Sequence, residues 1–273
     1  MLSNTDWLAI VNCMEISLKA ETLFHVGSLP VTNSVLTTWV VMILLVLIGL
    51  LARRVRLIPR GVQNVVEMVV VSLYDLIKPI INNDKVTRRI FPLLGVLFVF
   101  ILISNWAGLL PGVGSIGVRE LHEGKEILVP LFRAPTSDLN TTFALAVISV
   151  VVTTVLGVAI IGPVSYTKKF IRLTSPIDFF IGIFEMISEL SRLLSYSFRL
   201  FGNIFAGEVM ISVITFLIPW VIPAPLYAFE LFVGFIQAFV FVVLTALFIS
   251  LAIVDHDAHP HDQVEAELQP STN

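Results

Sequence analysis

The run IDFFIGIFEMISELSRLLSYSFRLFGNIFAGEVMISVITFLI, residues 177–218, is apolar and free of proline, yet it carries Glu185, Glu189, Arg192, Arg199 and Glu208. Each ionisable group at mid-bilayer costs roughly 2.5–3.5 kcal/mol even on the lenient insertion scale, so charges in such a segment are functional candidates. As one helix the run is roughly 63 Å long at about 1.5 Å per residue, twice the roughly 30 Å hydrocarbon thickness. It must tilt steeply or break.

On a helical wheel Ser188, Ser191, Ser195, Gly202 and Ala206 fall within about 60° of one line, with Arg199 about 20° from its centre. Small residues form a seam along which another helix can approach closely, and ordinary helix packing explains such a seam when no charge lies in it. Arg199 changes that reading. Glu208 points to the opposite side of the helix, about 13.5 Å further along the axis, while Glu189 reaches Arg192 at i+3. Arginine does not deprotonate in proteins, so Arg199 is a fixed positive charge between titratable groups, the pattern of a proton path with a barrier in it.

Around this run the composition is that of a membrane protein: 273 residues, 56% hydrophobic and 14% charged, with a mean hydropathy of +0.93. A net charge of −3 gives no footprint for nucleic acid. Cys13 is the lone cysteine, which excludes an intramolecular disulfide and a cysteine metal site. Residues 1–18 contain no Lys or Arg, so no cleaved signal peptide is expected. There is no internal repeat, phosphate-cradling glycine motif or nucleophile elbow, and neither direct nucleotide binding nor a cofactor is expected.

The apolar segments are Leu36–Leu51, Phe91–Leu110, Thr142–Ile161, Ile177–Ile218 and Leu226–Val254. Pro59–Ile81 is helical but two-faced, with Gln63, Asn64, Glu67, Asp75 and Lys78 on one side and Val62, Val65, Val66, Val69, Leu73, Leu76 and Ile80 mostly on the other, and is read as lying at the interface. The fold class is therefore an all-α integral membrane protein of five membrane-embedded helices plus one interfacial amphipathic helix, the last two membrane helices long and steeply tilted. It forms one membrane domain over 1–273: an outer N-terminal segment (1–35), the membrane helices (36–254) and a disordered cytoplasmic tail (255–273). Within the tail His256, His259 and His261 have no cage partner elsewhere and carry no metal reading.

Arg53, Arg54, Arg56, Arg60, Lys78, Lys85, Arg88, Arg89, Lys168, Lys169 and Arg172 collect on one side, against Lys19, Arg119, Lys125 and Arg133 on the other. The positive-inside rule sets the N-terminus outside and the C-terminus in the cytoplasm. Trp39, Trp106 and Trp220 fall near outer segment ends, where indoles favour the interface. In the outer loop Pro111–Asn140, Pro135-Thr-Ser-Asp138 reads as a helix start with Asp138 as its N-cap.

Ser197-Phe-Arg199-Leu-Phe-Gly202-Asn203-Ile-Phe-Ala-Gly207-Glu208 resembles the signature of subunit a of F-type ATP synthases. Phe91-Pro-Leu-Leu, Ser104-Asn105-Trp106-Ala-Gly108-Leu-Leu-Pro111-Gly112, Ala134-Pro-Thr-Ser-Asp138-Leu-Asn140-Thr-Thr and Gln237-Ala-Phe-Val-Phe follow in that family's order and spacing, over roughly residues 25–254. The resemblance implies two long helices cupping a ring of c subunits. It implies that Arg199 faces the ring carboxylates, Glu208 serves the outer half-channel, Gln237 lies opposite the arginine and Glu185 belongs to the inner half-channel, with Asn203 near the outer path. Glu230 stands where one common version of the family has histidine. Seven residues from Gln237, it shares a face of the last helix, expected to look toward Arg199.

The reading is a proton-translocating, non-catalytic stator subunit of the Fo sector in the bacterial plasma (inner) membrane. Its proton-translocation residues are Arg199, Glu208, Glu230, Gln237, Asn203, Glu185 and Glu189, and its rotor-facing residues are Ser188, Ser191, Ser195, Gly202 and Ala206. Expected partners are the c-subunit ring, b-type peripheral stalk subunits, the lipid bilayer and, indirectly, the F1 sector. A secondary transporter would predict internal pseudo-symmetry and helices broken at mid-membrane, neither visible here. A passive structural subunit leaves Arg199 unexplained. A sodium-coupled version of the same machine stays open, since ion choice depends largely on the c subunit.

Overall fold

A computed structural model describes residues 21–27, 29–52, 61–110, 117–122, 125–170, 176–218 and 223–253. Pro59, Trp220, Arg53, Arg54, Arg56, Arg60, Arg172 and the 255–273 tail lie outside the described residues. Among the described residues seven helices run in chain order: α1 (Asn33–Ala52), α2 (Val62–Ile81), α3 (Asp84–Ala107), α4 (Leu139–Ile161), α5 (Pro163–Phe170), α6 (Pro176–Leu217) and α7 (Pro223–Ala252). Five of them, α1, α3, α4, α6 and α7, are long and apolar enough to cross a membrane, and α2 is not among them. This is the predicted count, with α2 as the separate amphipathic helix.

The 42 residues of α6 form one continuous helix. Of the two outcomes its length allowed, a break is excluded, so its roughly 63 Å fits a bilayer only at an incline. Pro219 and Pro223 follow in the sequence, and proline disfavours helical backbone in the residue before it. The other membrane helices begin three to seven residues before the apolar limits, while α3 ends at Ala107 and α7 at Ala252, short of Leu110 and Val254. α3 starts at Asp84, not Phe91, because Asn83 caps it, accepting a hydrogen bond from the Val86 N–H at 3.2 Å. Pro92 sits inside α3 without ending it. Asn82 turns the corner from α2 in left-handed conformation, φ 51°, and Lys78 pairs with Asp84 across it at 3.4 Å.

Two antiparallel hairpins stand where the sequence reading saw only outer segments: β1 (Thr22–Val26) with β2 (Leu29–Thr32), and β3 (Gly117–His122) with β4 (Lys125–Pro130). Both are short and two-stranded, and the architecture remains helical. A 3-10 turn at Pro135–Ser137 leads into α4, whose N-cap is Asp138, accepting from the Asn140 N–H at 2.9 Å. The capping reading of Asp138 holds. The same carboxylate also accepts from the Ser34 hydroxyl of α1 at 2.7 Å.

The core lies where α3, α4, α6 and α7 meet, with one face of α2 added. Ile77 and Ile81 of α2 join Leu94 and Ile101 of α3, Ala146 of α4, Leu200 of α6 and Phe241, Val242, Ala246 and Ile249 of α7, all essentially inaccessible. Hydroxyl pairs tie the helices inside this apolar packing: Ser149 of α4 to Thr245 of α7 at 2.8 Å, and Thr142 of α4 to Ser197 of α6 at 3.3 Å. Away from lipid-facing positions such as Ile43, Val46 and Leu51 of α1, these bonds leave few polar groups to be desolvated alone.

Candidate functional site

One side of α6 has no neighbour among the described residues. Ser188, Ser191, Ser195 and Ala206 are exposed and Gly202 half-exposed along it, and a Cβ built on Gly202 would meet open space. Flanking apolar residues are also bare: Ile187, Leu190, Leu194 and Phe198. Arg199 sits in the seam, half-exposed, with Nη2 donating to Ser195 Oγ at 3.1 Å. Among the described residues Arg199 takes part in no ion pair. The wheel placed these residues correctly.

N-terminal to Arg199, Glu189 and Arg192 pair at 3.3 Å as i+3 spacing predicted. The Arg192 guanidinium also lies 3.9 Å from the centre of the Phe248 ring of α7, so that cation is held twice. Glu185 is half-exposed one turn before Glu189. The two carboxylates stand about 15 and 21 Å from Arg199 along the axis, at about 1.5 Å per residue.

C-terminal to Arg199 the polar groups of α7 are enclosed, while Asn203 of α6 is exposed. Gln237 of α7 is buried, and its Oε1 accepts from Asn203 Nδ2 at 2.8 Å. Glu230, two turns earlier on α7, is only 3% exposed, and its Oε1 has no hydrogen-bond partner among the described residues. Its carboxyl group lies directly over Gly207, where any side chain would overlap it. Glu230 and Gln237 therefore do share a face turned to α6, but they meet it one and two turns beyond Arg199. The glycine is what lets a carboxyl reach so far into the seam.

Three bonds from the C-terminal end of α3 and its following loop set this part of α7. Asn105 Nδ2 donates to the Gly234 carbonyl at 2.8 Å and Asn105 Oδ1 accepts from Thr136 Oγ1 at 2.7 Å. Trp106 Nε1 donates to the Leu231 carbonyl at 3.0 Å. An apolar helix cannot be fixed in register by burial alone; these polar contacts fix the segment that bears Glu230 and Gln237.

Glu208 points away from the seam, as its position opposite Arg199 required, and meets Arg133 at 3.5 Å. Sequence reading treated Arg133 as one outer basic residue among four. The structure buries its side chain to 9% exposure against α6. No spacing rule could have paired it with Glu208, because the contact joins two distant segments of the chain. The arrangement thus has acidic groups on both sides, along α6, of an arginine that has no ion pair among the described residues and lies on an open helix face.

Residues 35–250 match the family model described as ATP synthase A chain. An ATP synthase subunit a of Moorella thermoacetica is 34% identical over 235 residues, 86% of this chain and 96% of that protein. One from Gloeobacter violaceus is 37% identical over 241 residues, 86% of this chain and 90% of that protein. One from Trichlorobacter lovleyi is 35% identical over 238 residues, covering 86% and 92% respectively. A match over this much of both sequences, on five membrane-length helices, places this chain in the ATP synthase A chain family, as an integral membrane subunit a.

Proposed function

We propose that the chain, acting as one membrane domain, is the proton-translocating stator of the Fo sector, with two offset half-channels that load and unload carboxyl groups on a c-subunit ring. The observation that carries this reading is Arg199: a fixed cation without an ion pair among the described residues, in an exposed seam of small residues. Protons pass from the outside through Glu208 and Glu230, beside Asn203 and Gln237, to a ring carboxylate. After nearly a full turn in lipid the proton leaves through Glu185 and Glu189.

Arg199 attracts the deprotonated ring carboxylate, favours proton loss beside it and repels protons that would cross directly between half-channels. Ser188, Ser191, Ser195, Gly202 and Ala206 let rotor helices slide past closely. Each proton brings about 2.3 kcal/mol per 100 mV, plus its pH term, to be converted to torque. The subunit performs no covalent chemistry. It sits in the bacterial inner membrane, N-terminus outside and C-terminus in the cytoplasm, held by b-type stalk subunits and coupled indirectly to F1.

Arg199→Ala is the test, in the assembled complex in inverted membrane vesicles. Proton-driven ATP synthesis should be lost while the amount of assembled complex stays near normal, because the substitution removes the charge and leaves the packing seam. Synthesis at a near-normal rate would end this reading.

A further inference from the structure

We propose that Arg133 is a positioning residue for Glu208, an inference that rests on Glu208 serving the outer half-channel. Arg133 is carried by the outer loop, not by a membrane helix, yet its side chain is almost wholly buried against α6. Its Nε donates to Ser137 Oγ at 3.0 Å and stands 3.5 Å from Glu208 Oε2. Its guanidinium carbon lies 5.9 Å from the centre of the Phe205 ring. Phe205 and Glu208 are three apart and share a helix face, so Arg133 lies across that face and contacts both.

The two ends of the Glu208 side chain are treated differently. Oε2 is buried against the cation, while the side chain as a whole is 38% exposed. One carboxylate oxygen is therefore held at the cation while part of the side chain stays accessible. Arg133 cannot release a proton and takes no part in a relay. It acts by orientation and charge.

The other carboxyl groups of this region make other contacts. Asp138 accepts from Ser34 and Asn140. Glu230 faces Gly207 from α7. The loop bearing Arg133 is fixed to the first turns of α1: Thr37 Oγ1 accepts from the Arg133 N–H at 3.2 Å, and Asn33 Nδ2 donates to the Pro130 carbonyl at 3.4 Å. A side chain held this way is built for one location.

The experiment compares Glu208→Gln, Arg133→Gln, Arg133→Lys and the double variant R133Q/E208Q in whole complexes in inverted vesicles, reading ATP-driven proton pumping per assembled complex. Arg133→Gln should slow pumping about tenfold, the scale of a misoriented transfer group, Arg133→Lys should recover most of it, and the double variant should be no slower than Glu208→Gln alone. Wild-type pumping in Arg133→Gln, no rescue by lysine, or losses that multiply in the double variant would overturn the proposal. If Arg133→Gln alone fails to assemble, removing both charges should restore assembly, and failure to do so also overturns it. Wild-type pumping in Glu208→Gln would instead refute the outer half-channel reading.

Discussion

Adding one methyl group at Gly207 probes the seam between α6 and α7 more sharply than removing a charge. A Cβ there would overlap the Glu230 carboxyl group, whose residue is 3% exposed. To regain an ordinary separation of about 3.5 Å the carboxyl must retreat by more than about 1 Å. Overpacking of this kind costs about 1–3 kcal/mol, while Gly→Ala inside a helix returns about 1 kcal/mol. The two nearly offset each other in stability. They do not offset each other in transport, where a displacement of about 1 Å can cost on the order of 100-fold.

Gly207→Ala should therefore leave the melting temperature of the purified complex within a few degrees of normal and cut passive proton flux through F1-stripped vesicles by one to two orders of magnitude, on the about 100-fold scale of misplacement. Glu230→Asp shortens the side chain by one methylene, about 1.5 Å, and should make room. The double variant should conduct faster than Gly207→Ala alone. Normal flux in Gly207→Ala, or a double variant slower than the single one, would refute the claim that Glu230 lies in the working path at this position.

Cysteines at Ser195 and Gly202 should cross-link to cysteines on the outer helix of a c subunit, while one at Val209 should not; efficient linking from Val209 with none from Ser195 would put the rotor face on the wrong side of α6. Gly157→Ala should lower the melting temperature of the complex, since a Cβ would lie 2.5 Å from Tyr166 Cε2 of α5 and 3.2 Å from the Ala252 carbonyl; a ring and a backbone oxygen yield less readily than the free end of Glu230, so the overpacking cost of about 1–3 kcal/mol outweighs the roughly 1 kcal/mol that Gly→Ala returns. An unchanged or raised melting temperature would show that α5 can shift freely.

The long helix, its exposed seam and the Glu189–Arg192 pair were all legible because each follows from the 3.6-residue period within one element. The amphipathic α2 was legible for the same reason, and Asp138 because capping is a local act. Boundaries were not: hydropathy marks the hydrocarbon region, whereas α3 begins with Asp84, Lys85, Arg88 and Arg89 in polar turns. The hairpin Gly117–Pro130 was missed because it lies in a loop whose mixed charges masked any strand pattern. The contacts of Arg133, Asn105 and Trp106 join segments far apart in the chain, and periodicity is silent about those. Even so, Glu230 and Gln237 were correctly placed on one face from spacing alone, and only their depth relative to Arg199 needed coordinates.

The anchoring of the 130–138 loop on α1 has a consequence for biogenesis. Asn33, Ser34 and Thr37 are synthesised first, Arg133 and Asp138 midway, and Glu208 last, so the contacts around the 130–138 loop join parts of the chain made at three different times. A chain made only as far as α4 holds the residues of the loop anchor, and Arg133 gains its ion-pair partner only once α6 has been made.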